Sequence, residues 1–176
     1  GVDEVHTRCG DADQGLVRPG LRVGTGDGRQ DLGSTGAGGF DGVHVEPVPQ
    51  YAALLRADRP DELVLEAAVA ELAGTRTLQV LPDTGLSTFD AALAARHQQE
   101  LGFASHEVTV PALTLDQVFD AAGQAQTHWL KIDVEGAEGA VLQGWDKSRF
   151  RPWIVVVEAT IPNTQTDDSA RWEPLL

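Results

Sequence analysis

Apolar and polar positions follow two rhythms along this chain. Apolar runs of strand length recur at 42–46 (GVHVE), 63–69 (LVLEAAV), 77–81 (TLQVL), 106–110 (HEVTV), 128–134 (HWLKIDV) and 153–159 (WIVVVEA), and a shorter one opens LRVGTGDG at 21–28. The runs at 128–134 and 153–159 are nearly continuous, which suits strands covered on both faces of a parallel sheet. HEVTV alternates instead, as a half-exposed edge or hairpin strand does.

Helical spacing fills the gaps. PQYAALLRA puts Pro49 in a first turn, where a missing N–H costs nothing. STFDAALAARHQQELG has a hydroxyl cap at Ser87 or Thr88 and stops at Gly102. TLDQVFDAAG carries a capping box, Thr114 with Gln117, and ends at Gly123. GAEGAVLQG follows the 128–134 run and ends at Gly144. Strands alternating with helices predict right-handed crossovers and a doubly wound α/β sheet, mainly parallel, with helices on both faces. In such sheets ligands bind beyond the carboxyl ends of the strands.

A chain of 176 residues suits one domain. Residues 1–18 are polar without a clear period, leaving 19–176 as the domain, with 82–112 as the expected lid or insertion. The sequence starts at Gly1, contains no methionine and stops soon after the 153–159 run, so it reads as a fragment or processed form with one sheet edge open. Lys and Arg number 13 against 27 Asp and Glu, a formal charge of −14. That balance repels nucleic acid and anionic membranes, and neither is an expected partner. With one cysteine, Cys9, no internal disulfide or cysteine metal cluster forms. No run reaches membrane-spanning length and no basic region followed by an apolar stretch marks a signal peptide in the residues given; a cytoplasmic location is the expectation.

The chemistry gathers at the strand ends. Gly24, Gly26 and Gly28 would let the main chain approach a ligand without a Cβ in the way. Arg29 stands where the dinucleotide pattern needs its third glycine, which disfavours a nicotinamide cofactor. Glu46 ends the next strand, just before Pro47, at about the interval where an acid accepts the two hydroxyls of a ribose. Asp133 ends the 128–134 run, Glu135 follows, and Glu158 ends the 153–159 run. An acid ending an apolar strand is costly unless something binds it. Lys131 shares the face of Asp133, where the two can pair. Glu138, in the next helix's first turn, is accounted for by the helix dipole. The three other acids suit a general base, a group orienting a hydroxyl, a hard divalent cation, or simply a cap and ion-pair cluster. The histidines lack metal-ligand spacing and read as structural or solvated.

GVHVEPVPQYAALLRADRP, LEAAV, GLSTFD, TLDQVF, LKIDVEGAEGAVLQG and RPWIVVVEAT, in this order, resemble the FkbM-type methyltransferases over about 39–160, continuing weakly to WEPLL at 172–176. The resemblance implies a Rossmann-like fold, S-adenosylmethionine as cofactor, and O-methylation of a sugar or other small hydroxylated metabolite. It places cofactor binding at Gly24, Gly26, Gly28, Glu46 and Pro47, and catalysis at Asp133, Glu135 and Glu158, with Asp133 the first choice of base. A magnesium ion could do the same work by lowering the acceptor's pKa. Two departures stand out: Arg22 replaces the acid usual before the glycine loop, and GSTGAGG (33–39) has four glycines where a helix is expected, so it should be loop. They leave open a cofactor-binding remnant without turnover, or a metal-dependent hydrolase built on the strand-end acids.

Overall fold

A computed structural model describes residues 21–24, 42–82, 87–102, 104–123, 127–162 and 164–176. Its strands are β1 (Leu21–Gly24), β2 (Gly42–Val45), β3 (Leu63–Leu65), β4 (Ala68–Val69), β5 (Gly74–Val80), β6 (His106–Leu113), β7 (Trp129–Ile132) and β8 (Ile154–Val157). Its α-helices are α1 (Pro49–Asp58), α2 (Ala91–Leu101), α3 (Leu115–Ala122) and α4 (Glu138–Gln143), followed by two 3₁₀ turns, Ser169–Arg171 and Glu173–Leu175.

A mixed α/β architecture results, with two sheets among the described residues. The larger sheet has the order β3-β2-β1-β7-β8, and the smaller has β4-β6-β5. The run at 63–69 is therefore not one strand: it pairs with β2 as far as Leu65, then crosses over to pair with β6 at Ala68 and Val69. HEVTV extends to Leu113 and becomes the middle of the smaller sheet, antiparallel to β5. Its alternation remains, with Val110 and Ala112 buried on either side of exposed Pro111.

The larger sheet is not mainly parallel. β2–β3 and β7–β8 are parallel, but β1 lies between β2 and β7 and runs antiparallel to both. A four-residue strand can complete both ladders in either direction, and alternating periodicities do not encode which one it takes. β7 and β8 are not sealed on both faces either. Leu130 and Ile132 are fully buried, but β8 is an edge strand with Ile154 59% and Val156 51% exposed.

The main core forms on one face of the larger sheet. In α3 the residues Leu115, Val118, Phe119 and Ala122 fall at i, i+3, i+4 and i+7, a single apolar stripe. That stripe packs with Val43 and Val45 of β2, Leu130 and Ile132 of β7, and Val141 and Leu142 of α4. The capping box holds: Thr114 Oγ1 accepts from the Gln117 N–H at 3.3 Å, and Gln117 Oε1 from the Thr114 N–H at 3.0 Å. Gly123 and Gly102 end α3 and α2 with φ of 64° and 72°, the left-handed geometry glycine favours. The N-cap of α2 is neither Ser87 nor Thr88 but Asp90, whose Oδ1 accepts from Ala92 and Leu93 N–H. The two hydroxyls are engaged upstream, Ser87 by Leu81 N–H and Thr88 by Asp90 N–H.

The tail is more than loop. Trp172 is 8% exposed and joins the main core, with Leu175 packed beside it. Among the described residues no helix is long and apolar enough to cross a membrane.

Gly144 ends α4 without a positive φ, and its role is contact. A Cβ there would meet the Ala70 carbonyl oxygen at 2.5 Å. Gly144→Ala should therefore destabilise the domain by about 1–3 kcal/mol in urea unfolding, and Phe119→Ala by about 3–5 kcal/mol through the cavity it leaves. A Gly144→Ala variant as stable as the parent would mean that the α4–β4 approach is looser than described.

Candidate active site

The parallel ladder of β7 and β8 builds the site. It pairs Ile132 with Val157, and the Glu158 N–H donates to the Ile132 carbonyl at 2.9 Å. The next residues, Asp133 and Glu158, thus emerge side by side beyond the sheet edge. Carboxylate oxygens of Asp133, Glu135 and Glu158 all lie within 4.8 Å of one another. Asp133 is paired as its spacing predicts: Lys131 Nζ donates to its Oδ2 at 2.7 Å. Glu158 accepts a hydrogen bond from the Thr160 hydroxyl at 3.1 Å.

Glu135 is held differently. Its φ is 54°, followed by 95° at Gly136, so the chain reverses through two left-handed residues. A side chain in that region costs on the order of 1–3 kcal/mol and persists only where its surroundings enforce it. Enforcement comes from Glu138, which is buried and whose Oε1 accepts from the N–H groups of Val134 and Gly136 at 3.2 and 3.1 Å. Glu138 therefore ties down the turn, and the helix dipole alone does not explain it.

Burial pushes the Glu135 carboxyl up to about 7, helped by repulsion from Glu158, Asp133 and Glu138 and opposed by Lys131. Glu158 is also raised, first by burial and then by its hydrogen bonding with, and repulsion from, Asp133. At neutral pH the cluster thus holds an acid poised between its two protonation states.

These acids border two hollows. One, of about 60 Å³, is mainly apolar, with Tyr51, Phe89, Glu46, Pro47, Asp133 and Glu135 among its lining residues. Glu46 is 5% exposed at the end of β2, and its Oε1 accepts from the Val48 N–H at 2.8 Å. The other is an open cleft of about 700 Å³ between α2 and the 161–171 segment. Phe89 and Glu135 belong to both walls.

Over residues 23–175 the chain matches the family model described as the methyltransferase FkbM domain. The chain belongs to the FkbM methyltransferase family. No curated protein and no solved structure matches it.

The residues singled out in this FkbM domain by sequence divide into two groups. Glu46, Pro47, Asp133 and Glu135 line one hollow, and Glu158 joins the two strand-end acids. Gly24 does not join them. Because β1 is antiparallel, Gly24 lies opposite Gly42 and Trp129, at the amino ends of β2 and β7, and Leu21 at the start of β1 borders the hollow instead. Gly26 and Gly28 lie outside the described residues, as does the 33–39 stretch. Among the described residues, buried His44 pairs with Glu62, His128 packs on Trp153 and His106 is exposed.

Sequence reasoning missed Tyr51, Phe89, Arg96 and Arg171 as lining residues. Arg171 was reachable, since the buried Trp172 next to it is the one large apolar residue in a polar stretch.

A carboxyl raised in the folded state is protonated there before it is in the unfolded chain. The folded protein then binds more protons between about pH 4.5 and 7, so stability falls as pH rises through that window. Urea midpoints of the parent should drop across it, and those of Glu135→Gln should drop less. Parallel curves for the two proteins would show that Glu135 is not the group responsible.

Proposed function

We propose that this domain transfers the methyl group of S-adenosylmethionine to a hydroxyl of a small acceptor, on a Rossmann-like framework. The observation that carries the proposal is Glu135: a raised-pKa acid, on a strained turn, in the wall shared by the apolar hollow and the open cleft.

The hollow suits the nucleoside end of the cofactor by its donor set. Glu46 is a buried carboxylate bordering the hollow, a group whose paired oxygens suit the two hydroxyls of a ribose. Tyr51 and Phe89 offer ring surfaces beside it. At about 60 Å³ the hollow takes only part of a nucleoside, and the remainder extends toward the cleft. When bound, the cofactor supplies an electrophilic methyl on a sulfonium.

The protein's share is to hold the acceptor hydroxyl in line and take its proton. Asp133, first choice from sequence, already has its Oδ2 engaged by Lys131, which suits it to orientation. Glu135 has the pKa of a base working near neutrality. With the cofactor bound, the acceptor oxygen would take the methyl as the thioether leaves, and Glu135 would receive the hydroxyl proton. The products are a methyl ether and the neutral thioether. The same three carboxylates are close enough for a hard cation, but the ammonium already bound to Asp133 favours proton transfer.

Calorimetry should detect saturable S-adenosylmethionine binding. Glu46→Gln, which keeps an oxygen for the Val48 N–H, should weaken it by roughly 10–100-fold through loss of charge-assisted bonds. Glu135→Gln should leave cofactor affinity near parental and depress turnover by roughly 100-fold or more. Parental turnover should rise with pH through about 7. Absence of cofactor heat would sink the proposal. Turnover that needs added magnesium and survives Glu135→Gln would replace the base with a metal-assisted route.

A further inference from the structure

The open cleft has features that the transfer step does not use. Its volume of about 700 Å³ lies within the range of small-molecule sites. One wall is α2 with Arg96, the other carries Ile161, Pro162 and Arg171, and Glu135 stands between them.

Cations are scarce in this chain, 13 Lys and Arg against 27 acids, and many described ones are matched by acids. Arg56 pairs with Glu66, Arg59 with Glu62, Lys131 with Asp133, and Arg149 with Asp120. Arg96 makes no ion pair among the described residues, although the cleft it borders contains Asp90 and Asp168. Both of those acids are engaged elsewhere. Asp90 Oδ1 accepts from the two N–H groups that begin α2, and Asp168 Oδ2 accepts from Arg171 Nη1 at 3.0 Å. Arg171 spends one of its five donors on that bond and its side chain is 72% exposed. The cleft therefore offers an acid near the reacting end and two planar guanidinium groups with free donors on its walls. Guanidinium forks match carboxylate and phosphate oxygens in pairs.

We infer that this cleft is the acceptor site and that Arg96 and Arg171 make it select hydroxylated acceptors carrying an anionic group, a carboxylate or a phosphate. The inference rests on the methyl-transfer reading, which puts the acceptor hydroxyl at Glu135. An anion would be repelled by the three strand-end acids, so its charged group lies toward the arginines and its hydroxyl toward Glu135. The bound orientation follows from that polarity. Neutral sugars would lack the anchor.

The test compares D-glucuronate, D-glucose and glucose 6-phosphate, which share ring hydroxyls and differ in charge. Each is titrated into the full chain, with and without S-adenosylmethionine, following the arginine Nε–H signals by NMR. At least one anion should saturate the Arg96 signal with roughly 10–100-fold higher affinity than glucose. Arg96→Gln and Arg171→Gln together should abolish that preference while leaving cofactor affinity near parental. Response to glucuronate alone identifies a carboxylate-bearing acceptor, and response to glucose 6-phosphate alone a phosphate-bearing one. Equal affinity for glucose, no saturable response to any of the three probes, or a preference that survives both substitutions overturns the inference. Cofactor binding measured on the same sample separates the failures. Cofactor bound without anion selectivity refutes the acceptor assignment alone, whereas no cofactor binding refutes the methyl-transfer reading.

Discussion

The register of one parallel ladder governs the site. Ile132 pairs with Val157, so the residues after them, Asp133 and Glu158, leave the sheet together. A slip of one residue would turn one acid toward the opposite face and separate the pair. What fixes the register is the alternation inside β7, where Leu130 and Ile132 are fully buried against α3 and α4 while Lys131 faces the other way. The apolar core behind the sheet thus determines which carboxylates meet in front of its edge. Lys131, on the face of Asp133, then neutralises one of them within the same strand.

Crowding several acids has an electrostatic cost, and the structure divides it among them. Asp133 is relieved by an ammonium, Glu158 by a hydroxyl, and Glu138 by two main-chain N–H groups. Glu135 accepts no hydrogen bond among the described residues, and burial with repulsion, opposed by Lys131, raises it to about 7. The left-handed turn at Glu135 and Gly136 is what exposes this one acid to the hollow and the cleft together. Strain, raised pKa and position therefore share one origin: the chain must reverse immediately after a buried strand, and Glu138 anchors the reversal.

Much of this was legible locally. Capping boxes and C-terminal glycines are short-range devices, and Thr114, Gln117, Gly102 and Gly123 behave as their spacing predicts. The strand-end acids were legible too, because an apolar run that stops on a carboxylate marks a change of environment. Three things were not. The direction of β1 depends on how the chain enters the sheet, so the edge on which Gly24 lies is not encoded in the apolar run before it. The split of 63–69 into β3 and β4 depends on a second sheet that accepts Ala68 and Val69. The cleft wall at Ile161, Pro162, Asp168 and Arg171 depends on Trp172 reaching back to the core, a contact remote in sequence from most of its partners.

The direction of β1 does not decide whether Glu46 and Asp133 meet. Glu46 and Asp133 border one hollow although Gly24 is at the far end of its strand, because β2 and β7 end on the same edge whatever the direction of the strand between them. Antiparallel β1 brings its first residue, Leu21, to that edge, and an apolar side chain stands where a glycyl turn was expected. On the proposed reading, the side chains of Glu46, Tyr51 and Phe89 contribute to recognising the cofactor's nucleoside, while Gly26 and Gly28 lie outside the described residues. Glu46 is buried and accepts from the Val48 N–H at the start of α1, so the group proposed to hold the ribose is also one that fixes the entry to a helix, and replacing it would bear on both.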